Sequence, residues 1–266
     1  MIKIDKEKCI KCGLCINDCM SRVIKFDEND GFPYAARPEG CIKCQHCLAI
    51  CPVGALSIFD RNPQDSEPVV NHNSDDLLSL IKNRRSFRKY KNENIEPEKM
   101  NKLKSMLSWV PTGVNTHKLH FSFIDDVNVM NDFREKTNKL LLDGVKNDKE
   151  RFKNFRRYEA AILRGQDVIF RGAPHMVIVA VDETSPCASI DPVIALSYFE
   201  LYAQSLNLAT CWCGLGFWVF EMFPELIERL EIPKGYKLAY TMLFGPKGVN
   251  YKRSTQPEPY SMISVK

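Results

Sequence analysis

Eight of the eleven cysteines in this chain of 266 residues lie between positions 9 and 51, in two runs with identical spacing. In each run three cysteines follow at intervals of three, and a fourth comes four residues later. The first run contains Cys9, Cys12, Cys15 and Cys19, and the second contains Cys41, Cys44, Cys47 and Cys51. The N-terminal sequence MIKIDKEKC has no apolar signal segment, so we expect a cytoplasmic protein in which these cysteines bind metal and do not form disulfides.

The spacing of the two runs predicts a pair of [4Fe-4S] clusters. Three cysteines at intervals of three, in a tight loop, can reach three irons of one cube, while the fourth serves the other cube. One cluster is then bound by Cys9, Cys12, Cys15 and Cys51, and the other by Cys41, Cys44, Cys47 and Cys19. Structural zinc is the alternative, because Cys-x2-Cys pairs also suit tetrahedral zinc, but it leaves the third and fourth cysteine of each run unused.

Residues 1–60 resemble the bacterial two-cluster ferredoxins. Pro52 follows the second run, as that pattern requires, whereas Met20 stands where the first run normally carries proline. His46, inside the second loop, is expected to be a solvated loop residue. The resemblance implies a domain that passes single electrons and performs no substrate chemistry of its own.

Charge and hydropathy exclude two classes of partner. The formal net charge is +4, from 37 basic and 33 acidic residues, which at first suggests affinity for polyanions. An oxidised cluster with four thiolates carries a charge of about −2, so two clusters offset this excess and nucleic-acid binding is not expected. No apolar run approaches the ~20 residues that a membrane-spanning helix needs, so no membrane association is expected.

A polar stretch with two prolines, within residues 61–74, predicts a linker between the cluster domain and a second domain at 75–266. Capping and periodicity then predict helices that begin at Ser74 and Pro97, and charged surface helices within 127–164. Apolar runs predict strands at 119–124, 175–181 and 236–244. We therefore expect an α+β fold.

A further helix is predicted from Asp191 to about Asn207, and apolar residues cover most of its circumference. Such a helix either lies at the centre of the core or is covered by a partner subunit.

Three segments of the second domain are candidates for a binding site. The first, Arg84 to Tyr90 (RRSFRKY), is strongly basic. Arginine side chains bind phosphate oxygens in bidentate fashion, so this segment is a candidate phosphate site. The other interpretation is a solvated basic helix end. The second is the turn-rich loop 111–117 (PTGVNTH), which could be a plain connection. The third is 210–216 (TCWCGLG), and the basic pair Lys252 and Arg253 follows near the C-terminus.

Taken together and in this order, these segments resemble the nitroreductase family of FMN-dependent oxidoreductases across residues 75–266. The resemblance implies an α+β sandwich with a central mixed sheet flanked by helices, and a homodimer with FMN between the subunits. The helix that begins at Asp191 is the candidate for the core of this interface, and the tail 254–266 for a segment that wraps the partner.

The resemblance also implies contacts with FMN for each segment. Arg84, Arg85 and Ser86 would bind the phosphate and ribityl chain, and Arg88 would lie near N1 and O2 of the flavin ring. The loop residues Pro111, Thr112 and Asn115 would reach FMN from the opposite subunit. Cys213 and Gly214 belong to the segment whose backbone approaches flavin N5. Lys252 and Arg253 would bind the phosphate.

Some residues near these segments have no assigned role. His117 stands where many relatives carry glutamine, and either a flavin contact or a solvated loop position is open to it. Cys211 and Cys213 are expected to be packing residues and not redox thiols. Cys187 and any flavin ligands within 127–164 stay unassigned, and no catalytic acid or base is named.

The sequence thus predicts an enzyme in which electrons pass from two [4Fe-4S] clusters to FMN and on to a small organic acceptor, such as a nitroaromatic compound or a quinone. The donor could be a ferredoxin or NAD(P)H. One alternative is an electron-transfer relay that reduces a protein partner and no small molecule. Another is a sensor whose clusters are structural or respond to oxygen.

Overall fold

The structure is a computed structural model that describes residues 1–265 in two compact units. The first unit comprises Met1–His72 together with Val114–Thr116, and the second comprises Asn73–Gly113 and the residues from His117 onward. The main boundary falls between residues 72 and 73, inside the stretch predicted as a linker. Within residues 1–265, no helix combines the length and apolar character needed to cross a membrane.

The first unit is built from short elements around a small core. In chain order they are β1 (Ile2–Ile4), α1 (Leu14–Asn17), β2 (Ile24–Phe26), β3 (Pro33–Ala35), α2 (His46–Ala49) and β4 (Leu56–Ile58). Strands β1 and β4 pair antiparallel, as do β2 and β3, so the beginning and end of this unit lie side by side. Its core consists of five apolar side chains and a thiol, which are Val23, Ile24, Leu48, Leu56, Ile58 and Cys47.

The two cysteine runs adopt the same unusual backbone conformation. Positive φ angles occur at Lys11 (56°) and Gly13 (76°) in the first loop, and at the corresponding Lys43 (58°) and Gln45 (64°) in the second. Residues with a side chain rarely adopt this left-handed conformation, and glycine does so without a steric cost. The repetition shows that the two loops share one geometry. At the second left-handed position the first loop has glycine, Gly13, whereas the second loop has Gln45.

The second unit alternates helices with the strands of one sheet. Its helices are α3 (Ser74–Asn83), α4 (Pro97–Met106), α5 (Val127–Asn147), α6 (Lys153–Arg156), α7 (Glu159–Leu163), α8 (Asp191–Ser205), α9 (Gly214–Met222) and α10 (Pro224–Ile227). Its strands are β5 (Leu119–Ile124), β6 (His175–Asp182), β7 (Leu208–Trp212) and β8 (Tyr236–Pro246). The predicted α+β class is confirmed.

The four strands form one sheet in the order β5-β6-β8-β7. Neighbouring strands pair antiparallel throughout, for example His175 with Phe244 and Trp212 with Met242. The sequence predicted a mixed sheet, but among residues 1–265 parallel pairing is limited to a single bridge, between Ser86 and Thr210 beside β7. Strands β6 and β7 run in the same direction, but β8 lies between them and runs opposite to both, so each neighbouring pair of named strands is antiparallel.

Each face of the sheet carries its own hydrophobic core. Alternate residues of β6 point to opposite sides, so Met176 and Ile178 join one core while Val177 and Val179 join the other. Helices α5, α9 and α10 cover the first face, and α4 and α8 cover the second. The all-apolar sequence of β6 is therefore explained by its burial on both faces.

Most predicted elements are present, with two differences at the level of residues. Ser74 was predicted to cap the first helix, but it lies inside α3, and the side chain of Asn73 accepts the hydrogen bond from the Asp75 amide. The helices within 127–164 were expected to lie on the surface, yet they bury large apolar residues such as Phe133 and Phe155. The many charged residues of α5 make its composition typical of a surface helix, although one face of the helix is buried.

Candidate cofactor sites

One set of four cysteines lines a cavity in the first unit. The set consists of Cys9, Cys12, Cys15 and Cys51, as the spacing predicted for one cluster. Cys51 comes from the second run, and its sulfur accepts a hydrogen bond from the Ala55 amide at 3.2 Å. The cavity wall is completed by apolar residues, including Ile4, Pro33 and Leu56.

A second cavity is lined by the other set of cysteines, Cys19, Cys41, Cys44 and Cys47. Here Cys19 comes from the first run, so the exchange between the runs is reciprocal. Val23, Ile24 and Ile58 supply apolar walls. At the rim, Nδ1 of His46 lies 3.5 Å from Oδ2 of Asp18, and both side chains are partly solvated.

The pKa shifts of one thiol in each cavity reflect the same grouping. The pKa of Cys15 is raised by burial and further by the nearby thiols of Cys51, Cys12 and Cys9. The pKa of Cys47 is raised to about 11, chiefly by burial and then by Cys44 and Cys41. Iron ligation requires the thiolate, so cluster binding has to displace these protons. Among residues 1–265, no three His, Cys, Asp or Glu side chains converge on a single-ion position.

In the second unit, the predicted basic segment lies along the outer edge of β7. Ser86 forms a parallel bridge with Thr210, and the amide of Phe87 donates to the Thr210 carbonyl at 2.8 Å. Further on, Tyr90 forms an antiparallel bridge with Lys247. The segment therefore links the end of the sheet to the C-terminal segment.

The C-terminal basic pair follows directly after this contact. The ring of Tyr251 packs against Phe87 at a centroid distance of 5.2 Å, which places the chain before Lys252 and Arg253 beside the basic segment. Within residues 1–265, four of the cations predicted to contact FMN form no ion pair with Asp or Glu: Arg85, Lys252 and Arg253, which were predicted at the phosphate, and Arg88, which was predicted at the flavin ring. Such uncompensated cations fit the phosphate group of a flavin mononucleotide.

Arg84 differs from its neighbours, because it pairs with the buried carboxylate of Glu200 on α8. Nη1 of Arg84 lies 3.1 Å from Oε1 of Glu200, while Trp212 Nε1 donates to Oε2 of Glu200 at 3.1 Å. Thr210 adds a longer hydrogen bond of 3.4 Å to the same carboxylate. Sequence reasoning missed Glu200, although a carboxylate in the middle of the apolar sequence of α8 is a signal for a buried partner.

The segment 213–216 turns from β7 into α9. The sulfur of Cys213 accepts a hydrogen bond from the Gly216 amide at 3.3 Å and caps this helix, while its thiol faces the Ile169 carbonyl at 3.4 Å. Burial raises the pKa of Cys213 to about 12, so the thiol stays protonated. A Cβ atom on Gly214 would lie 3.0 Å from the Tyr240 hydroxyl, so the backbone here is closely approached by a side chain.

Pro111 and Thr112 precede Gly113 in the second unit, whereas Asn115 is assigned to the first unit. The Gly113 amide donates to Oδ1 of the buried Asp191 at 3.0 Å. Val114 and Asn115 have positive φ angles, which is unusual for a β-branched residue. Thr112 also lines a groove of about 550 Å³ beside β5, an outer strand of the sheet.

Comparison with known proteins finds a family match for each of the two units. Residues 81–246 match the sequence model of the nitroreductase family, and residues 8–55 match that of the 4Fe-4S dicluster domain. Fold and sites thus define an oxidoreductase of the nitroreductase type that carries an iron–sulfur domain. Because the first match covers more than half of the chain, the protein belongs to the nitroreductase family, and the predicted recognition is confirmed.

Individual relatives resemble the two units separately. A nitroreductase with bound FMN from Desulfitobacterium hafniense is 24% identical, with a TM-score of 0.58, over 74% of this chain and all of that one. Ferredoxin-3 of Nostoc is 40% identical over 24% of this chain and 78% of its own length. An archaeal-type glutamate synthase of Thermotoga is 29% identical, but the match spans only 31% of this chain and 16% of that protein.

Proposed function

We propose that the protein is an iron–sulfur flavoprotein oxidoreductase that binds two [4Fe-4S] clusters and FMN and delivers electrons to a small organic acceptor such as a nitroaromatic compound or a quinone. Membership of the nitroreductase family and the dicluster domain support this function. The clusters would handle single electrons, and FMN would supply exchange between one- and two-electron chemistry. A ferredoxin or NAD(P)H remains the predicted donor.

The observation that carries this proposal is the reciprocal exchange of cysteines between the two cavities. Each cavity combines three cysteines of one run with the fourth of the other. This is the ligand arrangement of a two-cluster ferredoxin, whereas zinc bound by Cys-x2-Cys pairs would not require the exchange. The proposed ligands are therefore the eight cysteines of the two runs.

In the second unit, the chain's own residues would hold and orient FMN. Arg85, Arg88, Lys252 and Arg253 offer uncompensated positive charge for the phosphate and the pyrimidine edge of the ring. Ser86 adds a hydroxyl donor, and Gly214 permits close approach to the backbone. Arg84 is the exception, because Glu200 already neutralises its charge, so we assign it to orientation of the segment as well as to phosphate binding.

A homodimer is part of the proposal, and three exposed apolar features support it. Helix α3 has no buried residue, and Leu77, Leu78 and Ile81 are exposed on it. Helix α8 buries one face in its own core but leaves Val193 and Tyr198 exposed. The C-terminal tail is largely exposed in the same way, with apolar side chains at Tyr260, Met262, Ile263 and Val265.

An anaerobic redox titration of the purified protein, followed by visible and EPR spectra, tests the proposal. We expect about eight irons and one flavin per chain, and flavin that is reduced through the clusters. Turnover is then measured with a panel of nitroaromatic and quinone acceptors. A Cys15→Ser variant should lose one cluster and keep FMN.

Four results would contradict this function. Zinc in place of iron, or a preparation without flavin, would remove the cofactors on which it depends. Failure to reduce any acceptor, together with rapid reduction of a protein partner, would instead establish the relay. Clusters that do not reduce the flavin would favour a sensor.

A further inference from the structure

The hydroxyl of Tyr240 lies at the point where β7 gives way to α9. The pairing of β7 with β8 ends at Trp212 and Met242, so Tyr240 lies beyond the last pair on β8. Its oxygen is 3.0 Å from the position that a Cβ atom would take on Gly214. A larger residue at 214 would displace this hydroxyl. With glycine at 214, the Tyr240 hydroxyl can lie close to the backbone of Gly214.

Aromatic contacts fix the ring of Tyr240 on two sides. The ring of Phe217 is stacked on it at a centroid distance of 5.5 Å and an interplanar angle of 13°. Trp212 packs against it at 5.5 Å and is itself anchored by its hydrogen bond to Glu200. These contacts restrict rotation of the side chain, so the hydroxyl is held in one position.

This hydroxyl has no hydrogen-bond partner in the part of the chain that the structure describes. Partial burial raises the pKa of Tyr240 above the usual value of a phenol, so the group remains protonated at neutral pH. A half-buried phenol normally donates a hydrogen bond. The donor is therefore available to a ligand that lies against Gly214.

We propose that Tyr240 donates a hydrogen bond from its hydroxyl to the C4 carbonyl oxygen of an FMN ring that lies against Gly214. This inference rests on the proposed function, since it requires FMN at this position. A donor to this carbonyl stabilises the reduced ring more than the oxidised ring, because reduction adds electron density to the carbonyl oxygen. Tyr240 would thereby raise the reduction potential of the flavin.

The supporting contacts connect this donor to the phosphate end of the proposed site. Trp212 packs on Tyr240, Glu200 binds Trp212, and Arg84 binds Glu200. One continuous set of contacts thus extends from the basic segment to the residue beside Gly214. Tyr240 is for this reason a better candidate for a flavin contact than the exposed Trp218, which has no such support.

The test compares the full-length holoprotein with its Tyr240→Phe variant. We expect the variant to bind FMN, but with a more negative flavin midpoint potential and an altered visible spectrum. Tyr236→Phe is the matched control, since Tyr236 lies on the same strand and packs against His120, away from Gly214. This control should leave both the potential and the spectrum unchanged.

A second variant keeps the test decisive if Tyr240→Phe perturbs folding. Site-specific replacement of Tyr240 by 3-fluorotyrosine strengthens the donor and preserves the shape of the ring, so it should shift the potential in the opposite, positive direction. Potentials equal to that of the wild type in both variants would overturn the inference while leaving the proposed function intact. A wild-type protein without bound FMN would contradict the proposed function itself.

Discussion

Arg84 and Glu200 form an ion pair of 3.1 Å although 116 residues separate them in the chain. The carboxylate is buried, with only 6% of its side chain exposed, and it also accepts hydrogen bonds from Trp212 and Thr210. A buried charge is costly without a partner, so the pair fixes the start of the basic segment against α8.

The first prediction concerns this pair. Arg84→Met leaves the Glu200 carboxylate without its cation, and we expect a loss of about 1–3 kcal/mol in the free energy of unfolding, moderated because Arg84 is partly exposed. Arg84→Met combined with Glu200→Gln should recover part of this loss. Denaturant unfolding of the two single variants and the double variant measures the coupling.

Arg85→Met is the control for that experiment, since Arg85 makes no ion pair. It should change stability by less than about 0.5 kcal/mol. It should nevertheless weaken the binding of FMN relative to riboflavin, because only FMN carries the phosphate. Equal loss of both ligands would contradict the assignment of Arg85 to the phosphate.

A second prediction follows from the left-handed conformation of Gln45. Its φ of 64° corresponds to 76° at Gly13 in the first loop, where glycine carries no steric cost. Gln45→Gly should therefore stabilise the second loop by about 0.5–1 kcal/mol. The rate of loss of cluster absorbance in guanidinium, under anaerobic conditions, should decrease.

Gly13→Gln is the reciprocal change and should accelerate cluster loss. A Cβ atom at position 13 would make only an ordinary contact with Phe26, at 3.4 Å, so the expected effect comes from the backbone conformation. If both variants lost their clusters at the wild-type rate, the left-handed positions would not limit the stability of the loops.

The third prediction tests the exchange of cysteines between the runs. Cys51→Ser should remove the cluster that is held by Cys9, Cys12 and Cys15, and it should leave the other cluster in place. Iron content should fall from about eight to about four atoms per chain, measured by chemical analysis and EPR. Cys213→Ser serves as control and should retain both clusters, because Cys213 is a buried helix cap. Loss of the other cluster in Cys51→Ser would refute the assignment.

His175 provides a prediction of pH dependence. It is buried, its Nε2 accepts a hydrogen bond from the Ile95 amide at 3.1 Å, and burial lowers its pKa from 6.5 to about 4. Between these two values the unfolded chain binds more protons than the folded chain. Stability is therefore fully present above pH 6.5 and decreases as the pH falls toward 4, by at most about 3 kcal/mol.

His175→Gln removes this titration and can keep an acceptor for the Ile95 amide. The difference in unfolding free energy between wild type and variant should become smaller as the pH falls from 7 to 5. Both proteins carry the same clusters, so any acid lability of these is common to the two titrations. A constant difference across this range would mean that another group controls the acid sensitivity.

The final prediction concerns the loop at 111–115. Asp191→Ala removes the acceptor of the Gly113 amide, so exchange of this amide with solvent should accelerate, at a cost of about 1–2 kcal/mol in stability. Asp191→Asn retains an oxygen acceptor and should behave more like the wild type. Hydrogen exchange followed by mass spectrometry measures both, and unchanged protection in Asp191→Ala would refute this role of Asp191.

The sequence by itself determined the elements whose signal is local. The two cysteine runs predicted the grouping of thiols around two cavities, because ligand spacing and the crossed pattern are fixed by the geometry of the cube. Strand β6 was predicted from its apolar run, and helix α4 from the proline at its first position. Both signals depend only on a few neighbouring residues. The basic segment was also visible as a cluster of charges.

Only the tertiary structure decided how distant segments meet. It placed Arg84 on Glu200, the Gly113 amide on Asp191 and the Tyr240 hydroxyl beside Gly214, and it replaced the expected mixed sheet by antiparallel strands. None of these contacts follows from local spacing, because each joins residues brought together by strand order and by the burial of both faces of the sheet. The partner of a buried polar group is chosen by packing, and packing is a property of the whole chain.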